Sequence, residues 1–303
     1  MRVFLTGVTG QVGRAIAAHL AAQGQQVSGL SRRFHPVPGV SEHVEASLGS
    51  EDAVDRIGLA LPPSQAIVHA AASLSSDIHD PSISITNCLG TQQIIELADA
   101  WDVEQLIYIS SIQVIGSPQH HPITEDHPMQ PLTAYHASKL YGEHLVRLAQ
   151  TQDRRTVSLR ITSPSGAGTP GNRIMAVFVR RALANETLEI IGRGTRKQNY
   201  VDVRDVAWAV ELCLRQRATG LYQIAAADTV SNYELAKTCI AEVRSSANVE
   251  FVPKPDPEEG IVWDASLSKA HRDLGYWPRF AIQDSIRAVA DEQSHRHQKW
   301  DPR

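Results

Sequence analysis

Three cysteines in 303 residues, Cys88, Cys213 and Cys239, are too few and too far apart for a disulfide framework, and no Cys-x-x-Cys pair offers a metal or redox couple. They read as reduced thiols of a cytoplasmic protein. Long apolar runs are absent too: none reaches the ~18 residues that a membrane helix needs. The first apolar stretch runs straight into glycines, where a signal peptide would carry its core and cleavage site. The expectation is a protein neither exported nor membrane-spanning. Charge is balanced, with 29 Lys+Arg against 33 Asp+Glu for a net charge of −4, and no dense basic stretch marks a nucleic-acid surface. No metal site is expected, since the tail histidines His295 and His297 read as part of a frayed, solvated terminus. Internal repeats are missing as well. What remains is the profile of a soluble metabolic protein, long enough for one large or two interlocked domains.

What is present is alternation. RVFLTG, QQVSGLS, SQAIVHAAA, EQLIYISS and RTVSLRI read as strands, with helices over QVGRAIAAHLAAQG and near Ser82–Trp101 and Ala134–Thr151 between them. The apolar runs are continuous rather than alternating, as expected of strands covered on both faces. Strands separated by helices imply right-handed crossovers and a parallel sheet. After Arg160 the texture changes, and SPSGAGTPGN is a loop too rich in Gly, Pro and Ser for a helix or central strand. A helix near Arg173–Asn185 follows, then strands TLEII and NYVDV, a helix near Arg204–Gln216, a strand LYQIAA and a helix near Asn232–Arg244. Helices near Ser266–Leu274 and Ile282–His295 close the chain. The fold class is α/β: a doubly wound parallel sheet over residues 1–161 and a smaller mixed α/β lobe over 162–303, with 199–226 returning to the sheet.

Gly7, Gly10 and Gly13 fall between the first strand and first helix. There the backbone must turn sharply, approach a pyrophosphate and let helix pack on strand. The helix N-terminus then offers free N–H groups and a partial positive charge to the phosphates. A turn that merely needs glycines is the plain alternative; strand before and helix after favour a cofactor cradle, completed by Thr9, Gln11 and Val12. At the end of the second strand an NAD-selective site places Asp or Glu on the adenosine ribose. This chain has Ser31 there, followed by Arg32 and Arg33. A carboxylate repels a 2′-phosphate, whereas a hydroxyl and guanidinium forks bind it, so NADP(H) is favoured over NAD(H). The alternative leaves both arginines solvated and the site open to either cofactor.

Tyr135 and Lys139 stand four apart in AYHASKLYGEHLV, on one face of a helix. Lys139 is expected to lower the phenol from about 10 toward neutrality, and to hold the nicotinamide ribose. Ser111, which closes an apolar strand beside Ser110, can donate to a substrate oxygen as charge develops there, an electrostatic rather than nucleophilic role. A surface tyrosine beside a solvated lysine is the bland reading of such a pair. With the serine strand and glycine turn upstream, the set points to hydride transfer between a nicotinamide and a carbinol or ketone.

These residues resemble the extended branch of the short-chain dehydrogenase/reductase superfamily, the NAD-dependent epimerase/dehydratase family, over almost the whole chain. TGVTGQVG (Thr6–Gly13) resembles its TGxxGxxG, HAAA (His69–Ala72) its H-x-A-A cofactor loop and NCLGT (Asn87–Thr91) its N-x-x-G-T helix start. ISSIQVIG (Ile109–Gly116) resembles its S-S-x-x-V-Y-G, and YHASK carries its Tyr-Lys pair. GRGTRKQNYVDVRDVAWA (Gly192–Ala209) and LGYWP (Leu274–Pro278) are similar to two signatures of its C-terminal half. The resemblance implies a Rossmann sheet, a smaller lobe that closes on the substrate, most often a nucleotide sugar, and a homodimer through a four-helix bundle of the 82–101 and 134–151 helices. It further implies cofactor contacts at Ser47, Leu48, His69, Ala70, Ala71, Asn87, Ser110, Ile161 and Ser163, beside Tyr135 and Lys139. Substrate contacts are implied at Ser73, Gln113, Asn172, Arg173 and Gln198.

The departures from the family pattern bear on function. Members that dehydrate carry Asp-Glu just after the serine, to move protons at neighbouring sugar carbons. Here Ile112 and Gln113 stand there, and neither is an acid or base, so a 4,6-dehydratase is not expected. Gln198 replaces an arginine that often meets the nucleotide diphosphate, with Arg193, Arg196 and Lys197 close by. Ser47 stands where an acidic residue usually contacts the adenine. Arg160 either forms a structural ion pair or anchors the strand beneath the substrate loop. Asn172 and Arg173 either meet an anionic substrate or cap a helix, with capping preferred. Asp205 reads as a capping or dipole residue, and two of His120, His121 and His127 read as exposed. An epimerase re-reduces its own substrate and keeps its NAD, whereas a reductase exchanges its cofactor every turnover. The Ser-Arg-Arg site suits exchange. The expected activity is an NADP(H)-preferring reduction of a 4-keto nucleotide sugar or similar ketone. The alternatives are a UDP- or dTDP-sugar epimerase with retained NAD and, from another class, a non-catalytic NADP-binding sensor, against which the intact Ser111, Tyr135 and Lys139 argue.

Overall fold

The computed structural model describes residues 1–75 and 77–298. In its first half come β1 (Arg2–Thr6), α1 (Gln11–Ala22), β2 (Gln26–Ser31), β3 (Val40–Glu45), α2 (Ala53–Ala60), β4 (Ala66–His69), α3 (Gly90–Ala100), β5 (Gln105–Ser111), α4 (Ala134–Leu148) and β6 (Arg155–Ile161). The second half adds β7 (Ser163–Ser165), α5 (Ile174–Leu183), β8 (Leu188–Ile191), β9 (Lys197–Asp202), α6 (Val203–Gln216) and β10 (Gly220–Ile224). It continues with β11 (Thr229–Ser231), α7 (Asn232–Glu242), β12 (Val249–Val252), α8 (Ser268–Leu274) and α9 (Ile282–Gln298).

Seven strands pair in the order β10-β6-β5-β4-β1-β2-β3, and every pairing is parallel. Successive residues of a strand point to opposite faces, so a sheet with helices on both sides must be apolar throughout. β1 shows this. Val3 and Leu5 pack with Ile16 and Leu20 of α1 and Val206 and Val210 of α6, while Phe4 packs on the other face with Ile94 and Leu97 of α3. The strand order reverses between β1 and β4. At such a point the loops leave in opposite directions and open a crevice at the carboxyl ends of the strands. Gly7 follows β1 and Ala70 follows β4, so the glycine turn lies at that crevice.

A third apolar cluster gathers Phe178, Leu188, Leu235 and Ile286 from α5, β8, α7 and α9, beside two small sheets, β11-β9-β7 and β12-β8. Of the segment 199–226 expected to return to the large sheet, α6 and β10 do so, but β9 pairs with β7 and β11 instead. The helix expected from 82 to 101 begins as a π-helical segment, Ile83–Leu89, before α3. α9 runs to Gln298, beyond the expected His295. Residues 299–303 of the tail expected to fray lie outside the described residues, as does the side chain of His297. Among the described residues no helix is long and apolar enough to cross a membrane.

Candidate active site

The glycine turn is built for close approach. Gly7 sits at φ +72°, where only glycine is unstrained, and a Cβ there would press on the Ala71 backbone. A Cβ on Gly13 would run into the Gly7 carbonyl, so α1 can pack on the turn only without one. Gly10 caps α1 with no side-chain bond to its first N–H groups, which remain free for an anion. Thr9 and Val12 are half-buried in the turn, and Gln11 Nε2 donates to Thr169 Oγ1 at 2.9 Å, tying the turn to the loop after β7. A cradle with no Cβ at three positions and unpaired helix N–H groups fits a dinucleotide pyrophosphate.

Behind the cradle a buried relay fixes the loop after β4. The Thr91 hydroxyl donates to Asn87 O at 2.6 Å, so it accepts from His69 Nε2–H at 3.0 Å. The bare Nδ1 then accepts the Thr6 hydroxyl at 2.8 Å, and Thr6 Oγ1 accepts from Ala70 N and Ala71 N at 3.2 and 3.0 Å. Burial, aided by the Lys139 charge, drives the imidazole down to about 3, so it stays neutral. Asn87 is equally committed: it accepts from Ser73 N at 2.7 Å and donates to Ser73 O and Ser138 Oγ at 3.0 and 2.9 Å. Ser110 donates to Glu143 Oε1 at 2.5 Å. The side chains of His69, Asn87 and Ser110 are spent within the protein, so a cofactor contact at these positions falls to their backbone. They hold the backbone that borders the cleft. Leu48 and Ile161 sit in the apolar clusters and have only backbone to offer, whereas Ser47 is exposed and Ser163 half-buried.

At the end of β2 the Ser31 hydroxyl donates to Arg33 O at 2.6 Å and contacts His43 Nε2, from β3, at 2.7 Å. Arg32 and Arg33 are exposed. The sequence reading missed His43, which stands twelve residues away and reaches Ser31 only through strand pairing.

Lys139 is buried in α4, where Thr133 caps the helix by accepting from His136 N at 3.1 Å. Its ammonium donates to Ile109 O at 2.8 Å and lies 4.8 Å from the Tyr108 ring centre and 5.9 Å from that of Tyr135. Burial pushes Lys139 down to about 8 against the pull of Glu143. Tyr135 goes the other way, up to about 12, because burial of a phenolate outweighs the Arg173 charge that favours it. The expected acidification of the phenol by Lys139 is therefore corrected: burial outweighs the charge nearby, and the phenol keeps its proton at neutral pH.

Ser111 accepts from Gln113 N at 3.2 Å, which leaves its own proton uncommitted. Gln113 Oε1 accepts from His136 Nε2 at 2.9 Å, and the His136 and Tyr135 rings lie 5.6 Å apart. Ser111, Gln113, His136, Tyr135 and Lys139 thus form one run of contacts across β5 and α4. Beneath it, Arg160 meets Glu143 with Nε and Nη2 at 3.0 and 2.8 Å, both side chains buried, which favours the structural reading of Arg160.

The remaining residues divide. Ser73 shares a 2.6 Å hydrogen bond with Ser82. Asn172 and Arg173 are exposed, and α5 is capped by no side chain, so the preferred capping role is corrected in favour of solvent or ligand. Gln198 is buried, and with its oxygen turned to Arg196 it accepts from Nε and Nη2 at 3.1 and 2.6 Å. Arg196 also pairs with Glu258, so both side chains are engaged within the protein. Asp205 does not cap its helix; Asp202 does. Asp205 instead accepts from Arg279 N and Phe280 N at 2.9 and 3.2 Å, and burial raises it to about 6. His120 and His121 are exposed and His127 is buried.

A model of the NAD dependent epimerase/dehydratase family matches residues 3–225. The low-salt glycan biosynthesis protein Agl12 of Haloferax volcanii is 29% identical over 216 residues, 70% of this chain and 68% of that protein. The dTDP-6-deoxy-L-talose 4-dehydrogenase (NAD(P)(+)) of Kitasatospora kifunensis is 26% identical over 97% of this chain and 96% of its own. The structure of Thermus thermophilus UDP-glucose 4-epimerase in complex with NAD matches with a TM-score of 0.82 at 26% identity, covering 96% of this chain and 98% of that one.

Proposed function

Because this chain belongs to the NAD dependent epimerase/dehydratase family, and so is an NAD-dependent enzyme of the nucleotide-sugar epimerase and dehydratase type, we propose that it works as a ketoreductase. In this reading it takes NADP(H) in preference to NAD(H) and reduces a 4-keto nucleotide sugar or a similar ketone. The observation that carries the reading is the end of β2, where Ser31 and the exposed Arg32 and Arg33 stand in place of a carboxylate; the Tyr135 phenol, pushed up by burial to about 12, supports the same direction. At neutral pH such a group holds a proton to give, as reduction of a ketone requires, and is a poor base for the oxidation with which epimerisation begins. Ser111 supports the same direction, since its uncommitted proton can meet the oxygen on which charge develops.

The backbone of Gly7, Gly10 and Gly13 and the N-terminus of α1 would hold the cofactor pyrophosphate, with Lys139 on the nicotinamide ribose. The bound nicotinamide supplies or receives the hydride. The other groups are the chain's own: Tyr135 passes its proton to the substrate oxygen, Ser111 orients that oxygen, and Gln113, held by His136, faces the substrate as an amide with no acid or base function. Arg173 and Asn172, free of a capping duty, suit an anionic substrate such as a nucleotide diphosphate. Of residues 162–303, the described ones apart from α6 and β10 form the substrate lobe. The cofactor preference is supported by the absence of a carboxylate at Ser31; the Kitasatospora relative, named for NAD(P)+, is compatible with either cofactor.

We further propose a homodimer through α3 and α4 and, from the three free thiols, a reducing compartment such as the cytoplasm. The second reading, an epimerase with retained NAD, is favoured by the likeness to the Thermus UDP-glucose 4-epimerase, solved in complex with NAD. Analysis of the cofactor that copurifies separates the two, together with turnover of added NADPH and NADH. A site that purifies largely empty and consumes NADPH faster supports the reductase. Tightly held NAD without net consumption of either reduced cofactor supports the epimerase, and binding without any turnover supports a sensor.

A further inference from the structure

A hydroxyl has one proton, and that of Ser31 is given to Arg33 O at 2.6 Å. Its other partner, His43 Nε2 at 2.7 Å, must then bring a proton of its own, so the neutral ring is the Nε2–H tautomer. Strand pairing makes this contact. β2 and β3 run in parallel with Ser31 opposite Glu45, which sets His43 two residues back on the same face as Glu45. Glu45 in turn accepts from Phe34 N at 2.9 Å, and the Phe34 ring lies 5.1 Å from that of His43. The loop carrying Arg32 and Arg33 is therefore fastened to β3 at both ends. The charged and titratable groups that bear on the His43 ring are Glu45, which favours its protonated form, and His35, which opposes it.

A phosphomonoester arriving at the end of β2 accepts hydrogen bonds and donates none when ionised. Ser31 can donate to it only by releasing Arg33 O, and it keeps a donor on its own oxygen because His43 stays in place. Once protonated, the imidazole adds a positive charge one hydroxyl away from the phosphate and beside two guanidinium groups. We propose that His43 is a positioning residue for cofactor choice, acting through Ser31 to favour a 2′-phosphate, and that its protonation tilts selection toward NADP(H) over NAD(H). This rests on the cofactor reading above, which puts the adenosine ribose at the end of β2.

Burial holds His43 below the usual imidazole range, so the ring is neutral in the free protein at neutral pH. Bound phosphate favours the imidazolium. Preference for NADP(H) therefore rises as pH falls. The 2′-phosphate itself takes up a proton near pH ~6 and works the opposite way, equally in any variant. The test is the dissociation constant of NADPH and of NADH for the full chain, by fluorescence titration between about pH 5.5 and 8. Wild type, His43→Gln and Ser31→Ala are compared; glutamine keeps a donor for Ser31 and loses the charge. Relative to either variant, the wild-type preference for NADPH is expected to grow by roughly fivefold on acidification, the scale of a partly exposed charge pair. The same pH dependence in wild type and in whichever variants fold overturns the inference. NADH binding more tightly at every pH, while the ratio still moves with His43, would refute the proposed NADP(H) preference and leave the role of His43 standing.

Discussion

Lys139 and Tyr135 set opposite ends of the site's pH response. The ammonium is charged below about 8 and lost above it, while the phenol does not ionise until about 12. If the charged lysine orients the cofactor, reduction should run flat through neutral pH. Its kcat/KM should then fall about tenfold per unit above pH ~8, a limb belonging to Lys139 rather than Tyr135. A pH profile of ketone reduction checks this; a limb first appearing above pH ~10, the range of an unperturbed lysine, would contradict the role of burial. His69 contributes no acid limb, since it is neutral down to about 3. The Tyr135–Lys139 spacing is plain in the sequence. The direction of the phenol shift is not, because it depends on burial and on Arg173, brought to the helix only by folding. His43 is hidden for the same reason: nothing in a histidine on an edge strand marks it as the partner of a serine on the next.

The elements follow from pattern where burial is two-sided. β1, β4 and β5 are continuous apolar runs and end near where the sequence places them. β7, β11 and β12 are three or four residues long and carry no comparable signal; they exist through pairing with β9 and β8. The π-helical segment Ile83–Leu89 has the composition of ordinary helix, and only the contacts of Asn87 with Ser73 and Ser138 show why its turn matters. Glu143 of α4 and Arg160 of β6 are joined inside the protein. Losing one partner of a buried pair typically costs ~3–5 kcal/mol, so this tie fixes the helix that carries Tyr135 and Lys139. On its outer side α4 exposes Tyr141 and Leu148, and the turn before α3 exposes Ile85 and Leu89. Gln92 of α3 donates to Tyr141 at 2.8 Å, so the two helices present one surface. Sedimentation of the wild type should give a dimer. Leu89→Glu with Leu148→Glu should raise its dissociation constant by roughly tenfold or more while leaving the helical signal intact. A monomeric wild type would contradict the proposed bundle.

Across the whole molecule, a seven-stranded parallel sheet sets the glycine turn after β1, the β2 end and Ser111 at the end of β5 along one edge, the carboxyl ends of its strands. This much is legible from the order of strands and helices, because parallel pairing with right-handed crossovers leaves few other arrangements. The return of α6 and β10 to the sheet follows as well; the desertion of β9 does not, since its run NYVDV suits either sheet. The substrate side is least legible, because Gln198 and Ser73, expected to face it, spend their groups within the protein. The proposed reaction is net hydride delivery from an exchangeable cofactor to a ketone. The most direct measurement supplies NADPH carrying deuterium at nicotinamide C4 with a 4-keto nucleotide sugar, and follows the label by mass spectrometry. A ketoreductase leaves deuterium on the new carbinol carbon and forms one NADP+ per product. A ketone left unreduced with no NADPH consumed, while a UDP- or dTDP-hexose added in its place is converted to its C4 epimer without gaining label, would overturn this reading in favour of the epimerase.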